Sequence, residues 1–95
     1  MCVSINKSGS SFILRKEKLD GNVEVVSFEN YMTKSIIHAI NCVATTSEST
    51  SVKVMKFIIK SFKNSNYVSI KNIKTKETIF IPRHDVGIVL TKLSS

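Results

Sequence analysis

Two blocks of this chain, VVSFENYMTKSIIHAI (Val25–Ile40) and TIFIPRHDVGIVLTKL (Thr78–Leu93), align without a gap, and each changes its apolar period midway. Val26 meets Ile79, Phe28 meets Ile81, Ile36 meets Val89, Ile37 meets Leu90 and Ile40 meets Leu93. The first part of each block alternates like a half-buried strand, and the second recurs every three to four residues like an amphipathic helix. A chain of 95 residues has room for one core, so residues 1–95 are expected to form a single domain built on an internal hairpin–helix duplication. The expected segments are a hairpin–helix unit over 11–44, a linker over 45–51, a basic helix over 52–63 and a second hairpin–helix unit over 66–94.

Local signals fill in each unit. The β-rich runs Phe12–Lys16 and Val23–Phe28 flank Asp20-Gly21-Asn22, and Asp-Gly between apolar runs marks a hairpin. Met32, Ile36, Ile37, Ile40 and Val43 then share one helical face, with Asn30 as the expected N-cap. Ala44–Ser51 has no large apolar residue and reads as linker, with Ser51 placed to cap the basic helix. Tyr67–Asn72 and Thr78–Ile81 predict a second hairpin turning at Lys74–Glu77. Pro82 stops the strand and opens a final helix with Val86, Val89, Leu90 and Leu93 as its stripe. Asp85 near its start and Lys92 near its end suit the helix dipole.

Together these elements predict an α+β fold in which two hairpins join one antiparallel sheet with helices on one face. Alternation sends Val26, Phe28, Ile79 and Ile81 towards the helices, and Val25 and Phe80 the other way. That second face, with Tyr67 as a further candidate and Arg15, Lys16, Lys18 and Lys71 around it, is expected either to stack bases or to be covered by a helix or a second copy.

Lys53 to Lys76 carries seven lysines and no Asp or Glu. In a helix Lys53, Lys56, Lys60 and Lys63 fall within about 80° of arc, opposite Met55, Ile58, Ile59 and Phe62. That arc is the ground for predicting a helix in a stretch whose Val, Ile and Phe favour strands. The stripe lacks interspersed acids and continues through Lys71, Lys74 and Lys76. Uncompensated like charges repel, so the run points to a polyanionic ligand, and the net charge of +7 does the same.

Other classes of function find little support. The apolar fraction of 42% is that of a globular chain, and no apolar run approaches the roughly 20 residues of a membrane span. The N-terminus has no apolar signal region, and two cysteines without one read as free thiols, so an intracellular, reducing location is expected. His38 and Cys42 at i, i+4, even with Cys2 and His84, fit no zinc spacing, so neither metal nor cofactor is expected. No phosphate-binding glycine loop or nucleophile elbow occurs, and no enzyme activity is expected.

Two resemblances arise from the same residues. VMKFIIKSFKN, YVSIKNIKTKETIFIP and HDVGIVLTKL, preceded by SSFILRKEKLDG, resemble the C-terminal double-wing DNA-binding domain of the T-even phage middle-promoter activators. That resemblance implies hairpin wings presented to DNA, with Lys71, Lys74 and Lys76 as wing residues. KETIFIPRHDVGIVLTKL and its earlier copy also resemble the purine-rich-element-binding family of single-strand binders, whose repeats carry four strands before each helix. The expectation is a non-catalytic nucleic-acid binder, a regulator of transcription or RNA of viral or phage type, taking DNA or RNA. Its candidate contacts are Lys53, Lys56, Lys60, Lys63, Lys71, Lys74, Lys76, Arg15, Lys16, Lys18 and Tyr67. The alternative is a protein-interaction module that inhibits an acidic partner or forms a homodimer.

Overall fold

The computed structural model describes residues 3–46 and 48–94. In chain order the elements are β1 (Val3–Ser8), β2 (Ser11–Glu17), β3 (Val23–Glu29), a 3₁₀ turn (Asn30–Met32), α1 (Thr33–Ala44), β4 (Thr50–Val54), β5 (Phe57–Ser61), β6 (Tyr67–Asn72), β7 (Thr78–Pro82), a second 3₁₀ turn (Arg83–Asp85) and α2 (Val86–Leu93). The fold is α+β, as expected, but the hairpins do not share a sheet. The strands form two antiparallel sheets, β1-β2-β3 and β4-β5-β6-β7.

The segment 52–63 is a hairpin, not a helix: Val52 pairs with Ile59 and Val54 with Phe57 around a turn at Met55-Lys56. The lysine arc misled because a two-residue turn reverses the chain. Lys53 and Lys60, which a single strand would send to opposite faces, return to the same one. Inward-facing Phe57, Ile59 and Ser61 alternate with half-buried Ile58 and Lys60, the β preference of these residues prevailing over the helical spacing. Ser51 lies within β4 and caps nothing. Nor does the Asn30 side chain cap a helix. Its backbone N–H donates to the Ser10 carbonyl at 2.7 Å.

The repeat is deeper in space than in the sequence alignment. Leu14 lies between Ile5 and Val26 in the first sheet, as Ile70 lies between Ile59 and Ile79 in the second. The Asn30-to-Ser10 bond has its counterpart where the Arg83 N–H donates to the Asn66 carbonyl at 2.8 Å. The β2–β3 turn is held by Asp20, whose Oδ1 accepts the Asn22 N–H at 3.0 Å. That backbone hydrogen bond holds the carboxyl below the ordinary aspartate range. Gly21 takes φ 88° at this turn, a conformation open to glycine at little cost.

The two halves interlock. α1, from the first half, packs on β4, β5 and β6, while α2, from the second, packs against β1 and α1. α1 thereby lies on the four-stranded sheet, α2 packs at the β1 side of the three-stranded sheet and β3 packs on β7, all in one hydrophobic cluster containing Leu14, Val26, Ile36, Ile40, Ile59, Ile70, Ile79, Ile81, Val89 and Leu93. Phe28 of the first sheet meets Phe57 of the second edge to face, with ring centroids 6.2 Å apart. Arg83 adds a polar tie: Nε donates to the Ser65 carbonyl at 2.8 Å, Nη1 to the Ala44 carbonyl at 3.1 Å, and Nη2 to Ser61 Oγ. It thus joins the end of α1 to the end of the second sheet.

Among the aligned helix positions, Ile40 and Leu93 are buried, whereas Ile37 and Leu90 are only partly covered. Ile40→Ala and Leu93→Ala are each expected to lower the unfolding free energy by about 2–5 kcal/mol. Ile37→Ala and Leu90→Ala should cost less, as their side chains lose less burial. Urea unfolding of the four variants checks the order, and equal losses throughout would contradict it.

Candidate nucleic-acid interface

The outer face of the four-stranded sheet is set by its register. One row across the strands reads Lys53, Ile58, Lys71 and Thr78, and the next Ser51, Lys60, Ser69 and Phe80. Beyond these, Tyr67 faces Pro82, and Phe62 comes directly after β5. No Asp or Glu stands at any of these positions. Phe62 is 55% exposed, and Tyr67 and Phe80 are each 42% exposed. An exposed sheet face normally carries polar side chains, so three open aromatic rings among lysines form a distinct surface.

Their geometry is partly set within the face. Tyr67 and Phe80 meet edge to face at 6.4 Å and 85°. Lys60 Nζ lies 5.9 Å from the Phe62 ring centroid, close enough for a cation–π contact. Such a face offers flat rings for stacking and ammonium groups for phosphate, over a span set by the strand spacing.

The expected contacts are divided among several places. Lys53, Lys60, Lys71 and Tyr67 share the outer face just described. Lys56, Lys74 and Lys76 stand at one end of the sheet, where the Ile73 N–H donates to the Lys56 carbonyl at 2.7 Å and joins the two hairpin turns. Lys56 Nζ is also 3.7 Å from Glu29 Oε1. Lys63 lies in the loop at the opposite end, its N–H donating to Ser49 Oγ at 2.9 Å. Arg15 is exposed on the outer face of the three-stranded sheet, and Lys18 is exposed in the β2–β3 turn. Ile58 and Phe62, assigned from the sequence to the apolar side of a helix, belong to the candidate surface. The signal that reveals them is the alternation V-K-V and F-I-I-K-S on either side of a two-residue turn.

Lys16 is the clear departure. It is buried, and its Nζ donates to the Phe80 carbonyl at 2.7 Å, sits 3.4 Å from Glu24 Oε1 and lies 5.0 Å from the Tyr67 ring centroid. Glu24 Oε1 in turn accepts the Phe80 N–H at 3.2 Å. Strand alternation puts Lys16 on the same inward side as Phe12 and Leu14, so its ammonium serves the edge of β7 rather than a phosphate.

Beside the lysine-rich end lies a groove of about 480 Å³ lined by Tyr31, Met32, Lys53, Met55, Lys56, Ile73 and Lys74. Cys42 Sγ and His38 Nε2 are 3.6 Å apart on the exposed side of α1. Cys2 lies outside the described residues. Among the described residues no three His, Cys, Asp or Glu side chains converge on a metal-sized site, and no helix is long and apolar enough to cross a membrane.

Removing one partner of the nearly buried Lys16–Glu24 pair leaves an uncompensated charge and an unsatisfied strand edge. Lys16→Ala is expected to destabilise the fold by about 3–5 kcal/mol. Replacing both residues with apolar ones of similar size should recover only part of the loss, because it removes the uncompensated charge but leaves the Phe80 N–H and C=O unpaired. Lys53→Ala, at an exposed site, should stay within about 0.5 kcal/mol of the parent. Chemical denaturation separates these outcomes; equal effects of the two single lysine changes would contradict the assignment.

Comparison of the chain with protein-family models and with curated protein sequences finds no match.

Proposed function

We propose that this chain binds single-stranded nucleic acid on the outer face of its four-stranded sheet, as a non-catalytic regulator of transcription or of RNA. One observation carries the reading: Lys53, Lys60 and Lys71 share an open sheet face with Tyr67, Phe80 and the adjacent Phe62, and no acid stands among them. Lysines hold the strand through its phosphates irrespective of sequence, and rings stack on any base. Duplex DNA hides its base faces, so the aromatic part of such a surface serves an unpaired strand. The element order, three strands and a helix followed by four strands and a helix, supports the resemblance to the purine-rich-element-binding family. The double-wing resemblance fits less well, since its first helix would fall on the β4–β5 hairpin.

The triple variant Lys53→Ala, Lys60→Ala, Lys71→Ala tests the reading by salt titration against a mixed-sequence single strand. Each lost phosphate contact flattens the slope of log K against log[salt] by about 0.7, so the set should lower it by about 2. Phe80→Ala should weaken binding by about 1–3 kcal/mol with much less change in that slope, because a stack rather than a charge is removed. Unchanged affinity in both variants, with folding intact, sinks the proposal. Equal binding of single strands and duplex would remove the single-strand part of it.

A further inference from the structure

The two edges of the four-stranded sheet are treated differently. At β7 the outward N–H and C=O of Phe80 are taken up by Glu24 and Lys16. At β4 no described strand pairs on the outer side, and no described side chain bonds the backbone of Ser51 or Lys53. The two-residue turn makes Val54 and Phe57 the hydrogen-bonded pair that closes the hairpin. By alternation Val52 and Thr50 also turn their backbone groups to β5, leaving those of Ser51 and Lys53 facing outward. Beside this open edge runs a groove of about 430 Å³ between α1 and β4. Ala39, Val52 and Val54 provide its apolar lining and Lys34, His38 and Lys53 its basic groups, with Ser35 beside them and no acid.

We propose that β4 accepts an extended acidic segment of a partner protein as a fifth strand of this sheet. Main-chain hydrogen bonds to Ser51 and Lys53 supply the pairing, as in other strand-addition complexes. Alternate apolar side chains of the segment enter the groove against Ala39, Val52 and Val54, and the intervening carboxylates turn to the outer side and meet Lys53. A lone edge lysine is also the ordinary device against self-pairing, and the two roles agree. Lys53 and Lys34 repel a second copy of a chain carrying +7 while attracting an acidic strand. This edge borders the stacking face and shares Lys53 with it, but the pairing uses main-chain groups of β4 and does not depend on nucleic-acid binding.

The test is a titration of the ¹⁵N-labelled chain with a short capped peptide of alternating Glu and Val. The result expected is shifted amide signals at Ser51–Val54 and Lys34–Ala39, and slowed hydrogen exchange at Ser51 and Lys53. An alternating Lys and Val peptide should not bind. Ser51→Pro removes an outward N–H without breaking the β4–β5 ladder, so it should weaken the peptide at least about tenfold while oligonucleotide binding persists. Methylating the peptide's backbone nitrogens along its pairing edge should do the same with the protein unaltered. The proposal is overturned if the peptide does not bind, or if its shifts centre on Lys60 and Lys71 and survive both changes, as for a generic polyanion. Concentration-dependent dimerisation abolished by Ser51→Pro would overturn it too, because a second copy would then occupy the edge.

Discussion

The packing of each helix onto strands of the opposite half of the chain, α1 on β4, β5 and β6 and α2 on β1, is the constraint on which the other features depend. A three- or four-stranded sheet whose inner side carries Leu14, Val26 and Phe28, or Ile59, Ile70 and Ile79, is not stable with that side in water. Neither half covers its own sheet with its own helix alone; α1 lies on the four-stranded sheet, and α2 against β1 of the other. The halves therefore fold as one body. Arg83, bonded to the carbonyls of Ala44 and Ser65 and to Ser61 Oγ, reinforces the exchange where α1 ends.

Because both helices lie inside, the outer faces of both sheets are left to solvent, and they differ in kind. The three-stranded sheet shows Ile13, Arg15, Glu17, Val25, Ser27 and Glu29, apolar groups among charges of both signs. The four-stranded sheet shows lysines and aromatic rings with no acid. A mixed-sign face is close to neutral beyond a Debye length, whereas a single-sign face projects a field that draws polyanions. The same fold thus has one electrostatically quiet side and one attractive side. The electrostatic asymmetry arises from side chains, not from topology.

Strand edges are handled with similar economy. At β7 a buried lysine and a largely covered glutamate serve both backbone groups of Phe80, one donating and the other accepting. Their burial is tolerable because each charge has a partner and a further hydrogen bond. The Lys16 ammonium also lies 5.0 Å from the Tyr67 ring centroid. An internal structural ion pair thereby helps to position one of the rings on the outer face of the four-stranded sheet.

By itself the sequence determined the α+β class, the turn at Asp20-Gly21-Asn22, strands β2, β3, β6 and β7, both helices, and the inward direction of Val26, Phe28, Ile79 and Ile81. These are short-range consequences of apolar period and turn chemistry, legible wherever one face of an element is buried. It also located Lys53, Lys60, Lys71 and Tyr67 as candidates for contact. Only the tertiary structure decided that 52–63 is a hairpin, since a reversal at Met55-Lys56 and a helical turn both gather the same lysines. The separation into two sheets, and the pairing of β1 with β2, rest on long-range contacts that local periodicity does not encode. Lys16 went inside for the same reason: its charge is acceptable there only because Glu24 and the Phe80 carbonyl, far apart in the chain, meet it in space.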